Sequence, residues 1–342
     1  MVKIIVDCFG GDNSPSANIE GALLALEEFQ DVSLLLVGNE DLIKEELKEK
    51  KYDEGRLAFL DAKEVIDCNE SPTMATFRKK DSSLMKSLTT LKEDDSYAGL
   101  VSLSSTGALL VGSVIKIGKI PGVIRPACLP ILPTMNHSIV GVMDSGANVD
   151  CKKEELLQWA ILGSSFLKCA YGIESPRVSL LNIGVEEIKG DNLRKETYQL
   201  LKECKEINFV GNNESRDAIS GNYDLIVADG FSGNVLIKSI EGTSLEFLKL
   251  LRDTFYKNLK NKIGAAFLKK DIYAIKDFMN PHNYGGALLL GLNKIVVKGH
   301  GNSKAVSIKM CIKQVYDAYK GGFIDIVKEQ MKNLEVTEDK KE

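Results

Sequence analysis

Residues 225–228, Leu-Ile-Val-Ala, form a short apolar run that stops at Asp229-Gly230 and is followed by Phe231-Ser232-Gly233-Asn234. A run of this kind is the pattern of a strand buried on both faces, and the segment after it reads as helix. A strand ending at a glycine-rich turn before a helix leaves backbone N–H groups unpaired and aimed at one spot, where anions bind. The unit recurs along the chain. Residues 2–7 run toward Gly10-Gly11-Asp12, 100–103 into Ser104-Ser105-Thr106-Gly107, and 139–143 into Asp144-Ser145-Gly146-Ala147-Asn148-Val149-Asp150. Residues 178–181 lead to Glu186-Glu187-Ile188-Lys189-Gly190, and 295–297 to Lys298-Gly299-His300-Gly301. These loops supply hydroxyls, amides, N–H groups and a cation, Lys189. That set suits an anion and a developing oxyanion.

Each candidate has a plainer alternative. Aspartates at strand ends usually cap turns, which covers Asp7 and Asp144; Asp229, before Gly230 and a helix start, has the better claim to chemistry. His300, flanked by glycines, is a candidate ligand contact, whereas His137 and His282 stand alone and read as structural. Between 67 and 83, Arg78-Lys79-Lys80-Asp81-Ser82-Ser83 offers three cations beside two hydroxyls, which fits either a phosphate grip or a solvated helix start. The spacing of Gly107 and Gly112 matches a phosphate-binding P-loop, but Ser113 stands where lysine is required. No Gly-x-Gly-x-x-Gly and no paired histidines occur, so neither a dinucleotide cofactor nor a metal is expected.

The elements that must hold these loops follow from the pattern. Strands alternating with helices predict an α/β fold with a mainly parallel sheet covered on both faces, and ligands gather beyond the carboxyl ends of such strands. Ser14-Pro15 predicts a helix start with Ser14 as cap, 41–51 a charged helix, 121–133 a proline-rich connection, and 335–342 a frayed charged tail. The fold unit is expected over 1–334, as one body or as two lobes. The uncharged stretch 98–115 is long enough for a membrane span, but its five hydroxyl residues and three glycines read as strand, loop and helix.

At 342 residues, 44% hydrophobic and 27% charged, the chain can bury a substantial core. A net charge of −4 with no basic half argues against a nucleic-acid partner. Seven cysteines, odd in number and never spaced C-x-x-C, read as reduced thiols. The first strand follows Met1 directly, so no signal peptide is expected and the compartment reads as cytoplasmic.

The loops together resemble the bacterial phosphate acyltransferases. The resemblance is carried by Asp7 with Gly10-Gly11-Asp12, Arg78-Lys79-Lys80-Asp81-Ser82-Ser83, Gly146-Ala147-Asn148-Val149-Asp150, Leu180-Leu181-Asn182-Ile183-Gly184, Glu186-Glu187-Ile188-Lys189-Gly190, Asp229-Gly230-Phe231 with Gly233-Asn234, and Lys298-Gly299-His300-Gly301. Where the family usually reads Gly-Asn-Thr-Gly, this chain has Ser104-Ser105-Thr106-Gly107, whose hydroxyls still donate and accept. The resemblance implies a three-layer αβα Rossmann-like fold, of the isopropylmalate dehydrogenase and phosphotransacetylase type. It also implies transfer of a fatty acyl group from acyl carrier protein to inorganic phosphate, giving acyl phosphate for phospholipid synthesis. A homodimer lying peripherally on membrane is part of the same expectation. Catalytic roles fall on Lys189, Asp229, Ser105 and Thr106. Substrate contacts are expected from Gly10, Gly11, Asp12, Lys79, Lys80, Ser82, Ser83, Asn148, Gly230, Gly233, Asn234 and His300. A nicotinamide-dependent dehydrogenase of the same fold class and a non-catalytic binder of acyl phosphate or lipid are the alternatives.

One segment stands apart. Between 243 and 280, Leu248, Leu251, Phe255, Leu259, Ile263 and Phe267 recur at three- and four-residue steps as one apolar stripe, with eight Lys/Arg against four Asp/Glu. It reads either as a core-facing helix pair or dimer contact, or as a basic amphipathic helix lying on anionic membrane.

Overall fold

Among the described residues, short and mostly apolar runs assemble into one eleven-stranded sheet. The computed structural model describes residues 1–67 and 69–338. Its strands are β1 (Val2–Asp7), β2 (Val32–Gly38), β3 (Leu57–Asp61), β4 (Tyr97–Ser102), β5 (Ala127–Pro133), β6 (Ile139–Met143), β7 (Arg177–Asn182), β8 (Asn208–Glu214), β9 (Leu225–Val227), β10 (Ala287–Leu290) and β11 (Ile295–Lys298). The helices are α1 (Ser16–Glu28), α2 (Glu40–Leu47), α3 (Pro72–Arg78), α4 (Ser83–Glu93), α5 (Thr106–Lys116), α6 (Lys153–Tyr171), α7 (Asn192–Glu203), α8 (Gly230–Tyr256), α9 (Leu259–Phe267), α10 (Lys269–Phe278), α11 (Ala305–Lys320) and α12 (Phe323–Glu338).

The strand order is β3-β2-β1-β4-β11-β10-β5-β6-β9-β7-β8. Pairing is parallel from β3 to β11 and again from β6 to β8, but antiparallel at β11–β10, β10–β5 and β5–β6. Three reversals make the two parallel halves run in opposite directions. Their carboxyl ends would then lie at opposite edges, were the halves not offset along the strands. Ala287 of β10 faces Lys298 of β11 on one side and Pro130 of β5 on the other, and Leu289 faces Cys128. The Cys128 N–H in turn donates to Asp144, just beyond β6, at 2.8 Å. Both sets of strand ends therefore meet within about two residues of each other on β5. That meeting line positions the site.

Alternation along the strands sorts side chains into cores on the two faces. Ile4, Val6, Leu34 and Leu36 join Met143, Val178, Leu180 and Val227 in one core, roofed by Ile19 of α1, Trp159 of α6 and Ile308 of α11. Ile5, Leu35 and Val37 point the other way, into Leu84 and Leu88 of α4 and Leu109 of α5. Over the second half that opposite face is covered by Leu236 and Ile237 of α8 against Val140, Val142 and Ile226. The arrangement is the three-layer αβα fold expected from the sequence.

Several boundaries differ. Ser14 does not cap α1: its hydroxyl donates to the Gly11 carbonyl at 2.9 Å, and the helix begins at Ser16. The expected connection 121–133 contains a full strand, β5, and β8 and β10 were not anticipated. Residues 98–115 form β4 and α5, and among the described residues no helix is long and apolar enough to cross a membrane. Helix α12 continues to Glu338, past the expected tail boundary; residues 339–342, and Cys68, lie outside the described residues. The stripe between 243 and 280 is split, because Asn258 caps a new helix by accepting from the Asn261 N–H at 2.9 Å. Neither α9 nor α10 has a buried residue, so within this chain they face no core.

Helix α8 shows how tightly its first turn is set. A Cβ on Gly233 would stand 1.9 Å from the Asp144 carbonyl oxygen, whereas one on Gly242, two and a half turns later, would meet nothing within 4 Å. Gly233→Ala is expected to lower unfolding free energy by about 1–3 kcal/mol or more through overpacking. Gly242→Ala should instead raise it by about 0.5–1 kcal/mol by removing backbone freedom. Urea unfolding followed by circular dichroism checks both signs; equal effects would mean that the Asp144 contact does not govern the helix start.

Candidate active site

Where the two sets of strand ends meet, they enclose a cleft of about 340 Å³. Its floor is Cys128 and Pro130 of β5. One wall is Lys298-Gly299-His300 with Thr106, the other Ser145 and Gly146 with Asn234, Ile237, Lys238 and Glu241 of α8. Of the residues expected to bind or catalyse, Thr106, Asn234 and His300 are thus brought together. Lys298, Lys238, Glu241 and Ser145 join them without having been singled out.

The Asp144 carboxylate organises one wall. It is fully buried and accepts from the N–H groups of Cys128 (2.8 Å), Ser145 (2.7 Å), Ala147 (3.2 Å) and Asn148 (2.6 Å). Burial pushes its carboxyl upward from the ordinary range, against the pull of those four donors. Its role is the turn-capping one. Asn148 is absorbed in the same loop, since its amide donates to the Pro126 carbonyl (2.9 Å) and to Asp144 (3.1 Å). Gly230 and Gly233 allow α8 to approach: a Cβ on Gly230 would lie 2.4 Å from the Asn148 carbonyl oxygen. Asn234 then reaches back to the Ser145 carbonyl at 3.1 Å.

The opposite wall rests on a second buried carboxylate. Asp7 accepts from the hydroxyls of Ser102 (2.7 Å) and Ser104 (2.9 Å). Ser105 caps α5, accepting from the Ala108 N–H at 3.3 Å, and leaves Thr106 exposed at the first helical position over the cleft. The departure from Gly-Asn-Thr-Gly is therefore taken up structurally, one serine serving Asp7 and the next the helix cap. Gly10 lies against Ser104, where a Cβ would come within 2.5 Å of the backbone nitrogen, and Asp12 N–H donates to the Gly301 carbonyl at 2.7 Å. Gly11 and Asp12 thus buttress the His300 loop from behind, and Gly10 the Ser104 loop.

Asp229 and Lys189 are not among the residues that line the cleft. Asp229 caps α8 by accepting from the Ser232 N–H at 2.9 Å, and it is paired with the Arg194 guanidinium, which also reaches Ser232 Oγ at 3.2 Å. Burial works against its charge, but the Ser232 and Arg194 donors outweigh it and hold the carboxyl below the ordinary range. Lys189 is exposed. The local ion pair that its neighbours suggest does not form: Glu187 pairs with Lys202 at 3.1 Å, and no salt bridge of Lys189 occurs among the described residues. Its loop abuts Arg194, since a Cβ on Gly190 would stand 2.8 Å from Arg194 Cβ.

The basic cluster at 78–83 is not brought to the cleft. Lys79 donates to Glu70 and to the Val65 carbonyl at 2.8 Å, Ser82 caps α4, Ser83 is buried, and Lys80 is an exposed surface cation. Its solvated-helix-start alternative describes it. The cations in the cleft are instead the half-buried Lys298 and the exposed Lys238, with His300 Nε2 4.0 Å from Glu241 Oε1. Burial pushes the Glu241 carboxyl up, against Lys238. A signal for Lys238 and Glu241 was available, because they stand four and seven residues after Asn234 and so share its helix face. Among the described residues, no group of three or more His, Cys, Asp or Glu is arranged to hold a metal ion.

Comparison with known proteins decides the family. The family described as fatty acid synthesis protein matches residues 2–326. A phosphate acyltransferase of Clostridium tetani is 42% identical over 334 residues, covering 98% of this chain and 99% of its own. One from Clostridioides difficile is 39% identical, covering 95% and 94%. The chain belongs to the phosphate acyltransferase family. It is accordingly an acyltransferase. A phosphotransacetylase from Streptococcus pyogenes superposes with a TM-score of 0.62 at 16% identity, over 95% of this chain and 94% of that one. A branched-chain phosphotransacylase from Enterococcus faecalis gives 0.57 at 14%, over 92% and 99%. At those identities the likeness speaks for the fold alone.

An acyltransferase can work through an enzyme thioester, and Cys128 lies in the cleft. Burial, reinforced by Asp144, pushes its thiol up to about 12, against Ser145 and Lys298. Cys151 is likewise pushed to about 12, first by burial and then by Asp229. A thiol in that range stays protonated at neutral pH, and the thiolate is the nucleophile. Native protein treated with iodoacetamide at pH 7.5 should therefore stay unmodified at Cys128, and at the likewise buried Cys8, by mass spectrometry, and react at both in urea. Rapid native alkylation of Cys128 would contradict this.

Proposed function

We propose that this acyltransferase moves a fatty acyl group from the thioester of acyl carrier protein to inorganic phosphate, releasing the carrier thiol and an acyl phosphate for phospholipid synthesis. The observation that carries the reading is the cleft where Lys298, His300, Lys238 and the start of α5 converge above a thiol kept protonated. Phosphate is already a competent oxygen nucleophile at neutral pH, and a thiolate whose conjugate acid has a pKa near about 8.5 leaves without strong acid help. Transfer then needs positioning and charge stabilisation rather than a covalent enzyme intermediate. A phosphate oxygen attacks the carbonyl carbon, the tetrahedral oxyanion collapses, and the carbon–sulfur bond breaks with its electron pair leaving on sulfur.

In this reading Lys298, Thr106 and the N–H groups opening α5 hold phosphate, with the helix dipole adding to their field. Lys189 acts on phosphate or the oxyanion. Asp229 orients Arg194 toward the same spot. Asn234 and His300 bound the thioester side.

The protein is further proposed to be a cytoplasmic homodimer that rests peripherally on anionic membrane. The dimer rests on the family resemblance. Membrane contact is supported by α9, where Leu259 is 75%, Ile263 55% and Phe267 86% exposed beside Lys260 and Lys262. Apolar side chains next to cations on an uncovered helix suit an anionic bilayer surface.

Two measurements test these statements. With acyl carrier protein thioester and phosphate, Lys298→Ala and Lys189→Ala should each lower acyl-phosphate formation by roughly 10²–10³-fold, the usual loss for one electrostatic donor. Asp229→Asn should lose activity comparably while retaining the α8 cap, since asparagine caps as well as aspartate. Full activity in Lys298→Ala would remove the phosphate site from the cleft. Separately, Leu259→Glu with Ile263→Glu should abolish co-sedimentation with phosphatidylglycerol vesicles without altering the circular dichroism spectrum. Retained sedimentation would remove α9 from the membrane contact.

A further inference from the structure

The cleft and the arm beyond it share one helix face. Asn234 and Glu241 of α8, both lining the cleft, are seven residues apart, and Leu248 and Phe255 continue the same interval. Seven residues turn an α-helix through all but about 20° of two full circles, so these four side chains project from one side of α8. After Glu241 that side becomes apolar. Leu245, 65% exposed, occupies the junction, and Leu248, Leu251 and Phe255 then line a groove of about 690 Å³ closed by Leu268, Ile272 and Ile275. The groove walls are well formed in composition but empty of a core of their own, for α9 and α10 bury nothing within this chain.

We propose that this groove is the acyl-chain subsite, taking the saturated tail of the acyl group whose carbonyl reacts in the cleft. The proposal rests on the acyl-transfer reading above and names where the hydrocarbon lies. Length supports it. Two chains end to end span a bilayer core of about 30 Å, so one is about 15 Å long. At about 1.5 Å per residue that is the distance along α8 from Glu241 to Leu251, from the edge of the cleft into the groove. Size supports it also, because about 690 Å³ lies within the range of roughly 300–1,000 Å³ typical of small-molecule sites. Leu259 and Ile263, assigned above to the membrane, are absent from its lining, so groove and bilayer contact use different side chains of the arm.

Leu251→Trp with Ile272→Trp fills the groove, and Phe255→Ala deepens it. The readouts are kcat/KM for butyryl and hexadecanoyl thioesters of the same carrier, and binding of cis-parinaric acid, a fluorescent eighteen-carbon fatty acid, to the full chain. Each buried methylene tightens binding about fourfold, being worth about 0.8 kcal/mol at 1.4 kcal/mol per tenfold. Filling should therefore cut the hexadecanoyl-to-butyryl ratio at least tenfold and weaken parinarate binding to match, with circular dichroism unchanged. Phe255→Ala should move the optimum to longer chains. The proposal is overturned if both thioesters suffer equally, if parinarate binds the filled variant as it binds wild type, or if filling abolishes dimerisation or vesicle binding at an unchanged chain-length ratio. Should wild type form no acyl phosphate from either thioester, the acyl-transfer reading fails, and parinarate binding alone still decides the groove.

Discussion

A carboxylate that never meets solvent fixes this molecule's geometry. An ionised group costs several kcal/mol to bury unless the surrounding protein supplies donors in place of water. Asp144 obtains them from Cys128 on the adjacent strand and from the N–H groups of Ser145, Ala147 and Asn148 in its own loop. The loop must wrap tightly to reach, and in doing so it presents its outer carbonyls to α8, which can approach only because Gly230 and Gly233 have no side chain. One buried charge thereby ties together the floor of the cleft, one wall, and the start of the longest helix. Asp7 does the same for the other wall through Ser102 and Ser104.

The sheet makes two such walls face each other. A uniformly parallel sheet gathers all strand ends at one edge. Here the halves oppose, and only their offset along β5 and β10 makes the ends coincide. The parallel βα units are local and readable one at a time. Their meeting is set by three antiparallel pairings that no single unit encodes.

That distinction explains how far the sequence could be read. β1, β6, β7, β9 and β11 announce themselves because each is a short, mainly apolar run ending at glycine, aspartate or asparagine. β5 is hidden, since Pro126, Pro130 and Pro133 read as breakers and tertiary pairing overrides them. β8, largely polar and at the sheet's edge, carries little alternation. At the cleft, Thr106, Asn234 and His300 are legible in the sequence as strand-end or helix-start residues, and the fold brings the three together. Lys79, Lys80, Ser82 and Ser83 drew attention by local charge, which spacing alone cannot tell from a helix cap with an ion pair. Arg194 was invisible for the reverse reason: on α7 it looks like one cation on a charged helix, and only the fold brings it to Asp229.

Helix α8 is continuous from Gly230 to Tyr256. Twenty-seven residues make a rod about 40 Å long, and its first turn is clamped against the Asp144 loop with no clearance. The rod is therefore a lever with its fulcrum at the cleft. A tilt of about 5° at the fulcrum carries the far end by roughly 3–4 Å, and a load on the far end is felt at Asn234 and Glu241 in inverse proportion. Whatever grips the outer arm acts with mechanical advantage on the residues that line the cleft.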